Sequence, residues 1–199
     1  MTGHWGLIVA AGASTRMGRD KASLPWGATT LLDYQVQQMH QAGLKPLVVC
    51  SARQAMLTLP ADVAIAHNPD PERGKTSSIL AGLAHLPPDF ATLAIIAVDQ
   101  PRPAWVYTAL LQQQQATGAL LTAPSYHERL GHPLLVAGAL RAELLAIAED
   151  SQGLRQIVRQ HLADLLAVPL ATSLVCCDLN TPAEYQHWRD RYAEFESRP

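Results

Sequence analysis

Short, apolar runs alternate with longer segments of helical periodicity along the 199 residues of this chain. The runs fall at 5–11, 46–51, 62–67, 92–98, 119–124, 133–137 and 173–178. Several are apolar throughout; LAIIAVD at 93–99 is interrupted only by its final Asp99. A strand covered on both faces has this pattern, because neither set of alternating side chains meets water. Helices are predicted between them, over 30–42, 76–86, 103–117, 138–149, 151–162 and 181–195. Thr30 and Thr181 can cap starts, Gly43 and Gly118 follow ends, and Pro87-Pro88 stops the second helix. Such alternation folds as βαβ units with right-handed crossovers. The expected fold is a three-layer α/β/α sandwich on a mostly parallel sheet, one domain over residues 1–199. No internal repeat or linker interrupts it, and Gln112–Gln115 reads as a solvated helix face.

In open sheets of this class ligands sit where strands end. The polar loops at those ends are Gly12–Lys21, His67–Ser78, Asp99-Gln100-Pro101 and Asp178–Pro182. Composition narrows what they can bind. Net charge is −2, which argues against a nucleic-acid or membrane surface. No apolar run nears the ~18 residues of a membrane span, and Leu7–Ala11 is too short for the core of a signal peptide. Cys50, Cys176 and Cys177 fit no metal-binding spacing; an odd count suits a reducing cytoplasm, and buried thiols are the simplest reading.

The loop after the first strand carries the strongest chemical signal. LIVAAGASTRMGRDK stops being apolar at Gly12 and then sets Arg16, Arg19 and Lys21 around Gly18. Small residues from Ala11 through Gly12, Ala13 and Ser14 let main-chain amides approach an anion, while Arg16 forks onto phosphate oxygens and Lys21 adds a mobile charge. Two other phosphate motifs are excluded. The dinucleotide fingerprint needs three glycines where only Gly12 and Gly18 stand, and Gly74-Lys75-Thr76 has Pro69 where a P-loop needs glycine.

Asp99 ends an apolar strand, where a carboxylate needs a cation; Mg²⁺ beside a triphosphate suits it, with a helix cap or a solvated loop residue as the rival. Asp178 and Asn180, expected at the end of the last strand, add hard oxygen donors, though Asn180 or Thr181 equally fits a cap. Ser77 and Ser78 at a helix start can hold a phosphate or a base edge, or simply cap. His132, in Gly131-His132-Pro133, has no serine or cysteine elbow to make a hydrolase triad. Trp26 can stack on a base; packing at the sheet edge is the plainer role.

Taken in order, AAGASTRMGRDK-x-x-LPWG, NPDPERGKTSSI, DQP, GHPLLV and DLNTPAEY resemble the MobA-like nucleotidyltransferases across almost the whole chain. Ala10-Ala11-Gly12-Ala13, rather than Leu-Ala-Gly-Gly, resembles the molybdenum cofactor cytidylyltransferase branch. Some members of that branch carry Asp-Met-Pro where Asp99-Gln100-Pro101 stands here. The resemblance implies the nucleotide-diphospho-sugar transferase-like fold, a triphosphate held by Gly12, Arg16 and Lys21, and Mg²⁺ (or Mn²⁺) on Asp99 and Asn180, with Asp178 a further ligand. It also implies that Asn68, Gly131 and His132 face the base or the pterin. The expected reaction is in-line attack of the terminal phosphate of molybdopterin on the α-phosphorus of CTP. That phosphate's second pKa is ~6, so no general base is needed, and Arg16, Lys21 and Asp99 act by positioning and charge. A molybdenum hydroxylase is the implied recipient. A guanylyltransferase, another phosphate acceptor, or a non-catalytic cofactor chaperone remain as alternatives.

Overall fold

The computed structural model describes residues 3–12, 17–51 and 59–196. Its main sheet contains β1 (His4–Val9), β4 (Lys45–Ser51), β5 (Ala64–Asn68), β6 (Thr92–Ala97), β7 (Leu121–Tyr126), β9 (Leu134–Ala137) and β10 (Leu165–Pro169). The order is β10-β7-β9-β6-β1-β4-β5, with β8 (Arg129–Leu130) hairpinned onto β7. Pairing is parallel from β6 through β1 and β4 to β5, and again between β10 and β7. Only β9, which runs antiparallel between β6 and β7, and the short β8 break the pattern. Apolar runs predict that these are strands; which way the β9 strand runs is decided by the short connection from β8.

Successive residues of the central strands point to opposite faces, and each face has its own cover. Leu7, Leu47, Val49, Leu93 and Ile95 pack with Ile79 and Leu83 of α2 (Lys75–Leu83), Leu144 of α4 (Arg141–Leu145) and Ile157 of α5 (Leu154–Gln160). Ile8, Val48, Ala94 and Ile96 pack with Leu32, Val36 and Met39 of α1 (Leu31–Gln41) and with Val106, Tyr107 and Leu110 of α3 (Ala104–Thr117). That is the α/β/α sandwich expected from the pattern. A Cβ on Gly82 of α2 would stand 2.4 Å from Leu7, so this glycine sets how closely the helix lies on β1. A third cluster sits at one end. The β2 (Pro25–Trp26)–β3 (Thr29–Thr30) hairpin puts fully buried Trp26 against Tyr34, Tyr192 and Phe195, under α6 (Pro182–Asp190) and α7 (Ala193–Glu196). The packing role of Trp26 is the observed one.

Three expectations need correction. The final strand is Leu165–Pro169, not 173–178; Ser173–Cys176 is a 3-10 helix instead. Asp178 and Asn180 therefore follow an irregular segment rather than a strand end. Its carbonyls do not join a ladder, because Val175 and Cys177 give theirs to the Arg102 guanidinium at 2.8 and 2.9 Å. The helices expected at 138–149 and 151–162 shrink to Arg141–Leu145 and Leu154–Gln160. Left-handed backbone at Gln152 and Gly153 (φ 70° and 55°) turns the chain between them onto α2. The last helix breaks after Asp190, which swings Tyr192 and Phe195 onto Trp26.

Candidate functional site

The site is built where β1 and β6 end side by side. Val9 is level with Ala97, and Val98 N–H donates to Val9 O at 3.0 Å, so Asp99 emerges next to Ala10-Ala11-Gly12. Lys21 opens a 3-10 turn capped by Asp20, whose carboxylate accepts from Ala22 N–H. Its Nζ donates to Asp99 Oδ2 at 2.6 Å, with both side chains largely buried at 11 % and 19 % exposure. Positions 13–16 lie outside the described residues, and with them the Ala13, Ser14 and Arg16 assignments.

The Asp99 turn is fixed from three directions. Gln35 of α1 donates to the carbonyls of Ala97 and Val98, Gln100 accepts from Ala97 N–H, and Leu179 N–H donates to Asp99 O at 2.8 Å. Gln100 Nε2 then donates to Asp178 Oδ1 at 2.7 Å, which draws the second carboxylate to the first. Asn180 stands two residues on, at the entry to α6. There its N–H, like that of Thr181, donates to Glu184.

Arg102 ties these loops together. Its side chain is fully buried, and its nitrogens donate to Pro101, His132, Val175 and Cys177 carbonyls at 2.7–2.9 Å. Gly131 packs so close to the 173–177 segment that a Cβ would stand 2.2 Å from Val175 O. His132 N–H also donates to Val175 O. Burial, reinforced by Arg102 and Lys75, lowers the His132 pKa to about 3, so its ring is neutral at pH 7. Lys75, the first residue of α2, is exposed yet feels both Asp99 and Asp178. Desolvation still lowers its pKa, against the pull of the two carboxylates.

The predicted residues thus divide into two groups. Lys21, Asp99, Asp178 and His132 belong to one electrostatic cluster, flanked by Ala11, Gly12 and Gly131. Asn68, Ser77 and Ser78 form another: the Asn68 amide donates to both hydroxyls at 2.9 Å, and Ser77 donates to Asp70 O and Gly74 O. Beside that second group opens a cavity of about 550 Å³, bounded by Arg73, Leu80, Ile147 and Glu149 as well. Glu149 occupies the α2 N-terminus, where its carboxylate accepts from Thr76 N–H at 3.1 Å. Three contributors escaped sequence reasoning. Lys75 lay in a motif dismissed as a failed P-loop, while Gln100 and Arg102 adjoin Asp99 in DQPR and could have been found by that adjacency.

The donor chemistry fits a hard divalent cation, since Asp99, Asp178 and Asn180 all offer oxygen. No group of three or more His, Cys, Asp or Glu side chains with metal-binding geometry occurs among the described residues. A cation here would take two carboxylates and complete its shell from substrate and water, as Mg²⁺ does in phosphoryl-transfer sites.

A mostly parallel sheet whose strand-end loops pair Lys21 with Asp99, with Asp178 held nearby by Gln100, defines an α/β protein with a charged site at the carboxyl ends of its strands. The chain belongs to the MobA-like NTP transferase family, whose domain model matches residues 6–165. It is 25 % identical to the molybdenum cofactor cytidylyltransferase of Escherichia coli K12 over 94 % of this chain and 96 % of that one. It is 30 % identical to the molybdenum cofactor guanylyltransferase of Xanthomonas euvesicatoria over 90 % and 91 %. Among solved structures, Rv0371c of Mycobacterium tuberculosis superposes with a TM-score of 0.81 at 20 % identity, covering 95 % of this chain and 98 % of that one. A manganese complex of the same protein gives 0.72 at 22 % identity, covering 98 % and 99 %. The protein is therefore a nucleotidyltransferase of this fold. Among the described residues no helix is long and apolar enough to cross a membrane.

Proposed function

We propose that the protein transfers CMP from CTP to the terminal phosphate of molybdenum-loaded molybdopterin and releases pyrophosphate. The observation that carries this reading is the Lys21–Asp99 pair at the joined ends of β1 and β6, with Asp178 drawn in by Gln100. Family membership and the two molybdenum cofactor relatives support the substrate class. The Ala-Ala-Gly-Ala opening supports CTP over GTP; the guanylyltransferase relative keeps GTP as the second reading.

In this reaction the phosphate monoester of the acceptor attacks the α-phosphorus in line, the α–β bridging P–O bond breaks, and the electron pair leaves on pyrophosphate. The nucleophile is already ionised at pH 7, since its second pKa is ~6. The protein therefore has to orient two anions and offset their repulsion. Gly12 and its neighbours in the loop lie against the triphosphate. Lys21 and Arg16 stabilise charge gathering on the leaving group. Asp99, Asp178 and Asn180 would hold Mg²⁺ or Mn²⁺, which supplies charge neutralisation across phosphate oxygens. Neutral His132 offers the acceptor a hydrogen bond, not a charge. Asn68, Ser77 and Ser78, joined by the Asn68 amide beside the 550 Å³ cavity, would face the base or the acceptor from the start of α2.

Asp99→Asn tests the reading. It should lower kcat by at least ~100-fold, the scale of losing one electrostatic element of a site, with an unchanged circular dichroism spectrum. Wild-type turnover in this variant would remove Asp99 from the chemistry.

A further inference from the structure

Asp99-Gln100 and Asp178-Leu179 run side by side at the site, although Gln100 and Asp178 lie 78 residues apart in the chain. Two hydrogen bonds join the segments. One is main chain, from Leu179 N–H to Asp99 O at 2.8 Å. The other is a side-chain bond, from Gln100 Nε2 to Asp178 Oδ1 at 2.7 Å. The main-chain bond fixes how far apart the segments lie, but leaves the Asp178 side chain free to turn about its own bonds. Among the described residues, the Gln100 amide is the group that orients this carboxylate.

The amide is itself held firmly. Gln100 is buried, its Oε1 accepts from Ala97 N–H at 3.1 Å, and its own N–H donates to Ala97 O at 3.0 Å. With the oxygen facing an N–H, the nitrogen is the end left for Asp178, so the side chain presents a donor to the carboxylate. Behind it, fully buried Gln35 donates to Ala97 O at 3.2 Å and to Val98 O at 2.7 Å, which fixes the turn that carries Gln100.

We propose that Gln100 is a positioning residue whose amide presents Asp178 beside Asp99, as the second carboxylate available to a divalent cation. This rests on the nucleotidyl-transfer reading above and adds to it the residue that decides whether one aspartate or two serve the cation. A support of this kind raises affinity by holding a ligating group in place, and its loss typically weakens metal binding by about 10–100-fold.

Mn²⁺ alone is the probe, with the free ion counted by electron paramagnetic resonance in titrations of four proteins. Gln100→Met should raise the Mn²⁺ dissociation constant by about tenfold, equivalent to about 1.4 kcal/mol. Asp178→Asn should raise it too, because asparagine keeps an oxygen for Gln100 but lacks the charge. In Gln100→Met/Asp178→Asn the two losses should not multiply: the constant should stay within about twofold of Asp178→Asn alone, since Gln100 acts through that carboxylate. A glutamine that only braces the turn would give multiplied losses, and that result overturns the proposal. So does a Gln100→Met affinity within about twofold of wild type, or a wild type that binds no Mn²⁺. If methionine unfolds the turn, Gln100→Ala takes its place in the cycle, since the space it leaves lets water bond to Ala97 N–H. If the wild type makes no dinucleotide with any nucleotide, the transfer reading fails, while the Mn²⁺ cycle still decides the role of Gln100.

Discussion

Replacing Arg102 by methionine probes how the loops around Asp99 are held. The guanidinium lies at 0 % exposure and reaches His132 O and Val175 O at 2.8 Å, Cys177 O at 2.9 Å and Pro101 O at 2.7 Å. Val175 O keeps His132 N–H as a donor at 2.9 Å after the substitution, so the losses fall on the Pro101, His132 and Cys177 carbonyls. Leaving each buried carbonyl short of its donor costs about 1–3 kcal/mol. Methionine fills much of the volume and removes the cost of burying a cation, an offset of about 1–4 kcal/mol in known replacements. The balance is a destabilisation of about 3 kcal/mol, equivalent to a Tm lower by about 6–12 °C in a domain of this size. Urea unfolding followed by tryptophan fluorescence measures it, with an unchanged m-value confirming that the same cooperative unit unfolds. Arg102→Lys should recover less than half, because one ammonium cannot span four carbonyls. A loss below about 1 kcal/mol in Arg102→Met would refute the idea that this side chain holds the segments together.

Two further substitutions test the surroundings. Gly74 sits at φ 91° and ψ −176°, a region nearly closed to other residues, with its Cα face against Glu149. Gly74→Ala should cost about 2–3 kcal/mol; a variant within about 0.5 kcal/mol of wild type in the same urea assay would contradict that. For His132 the folded pKa of about 3 lies below its ordinary value near 6.5. Between those values the unfolded chain takes up a proton that the folded chain refuses, so stability falls as pH falls. His132→Gln should remove up to about 1.4 kcal/mol per pH unit of that slope between about pH 6 and 4. Parallel stability curves for the two proteins would show that His132 does not carry it.

What the sequence disclosed, and what it hid, divides by range of interaction. The runs at 46–51 and 92–98 were readable because strands covered on both faces need apolar residues at every position. Asp99 was readable because it breaks such a run at its carboxyl end. The 173–178 run misled for a physical reason. Ser173–Cys176 is apolar because it is buried, but its carbonyls are satisfied by a guanidinium 73 residues away rather than by a neighbouring strand. Glu149 at the start of α2, also 73 residues distant, and Gln100 on Asp178, 78 residues distant, follow the same rule. No local pattern announces such contacts. Lys75 escaped because the motif around it was judged only against the P-loop, which it fails at Pro69. Its significance comes from the loops that face it.

The most direct test of the central claim is product formation from molybdenum-loaded molybdopterin with CTP, GTP, ATP and UTP in parallel, read as pyrophosphate release and product mass. The account predicts a cytidine dinucleotide, with pyrophosphate released in equal amount and CTP strongly preferred. A guanosine dinucleotide would contradict the base assignment and retain the chemistry. Nucleotide binding without pyrophosphate release for all four would contradict the transfer reaction itself.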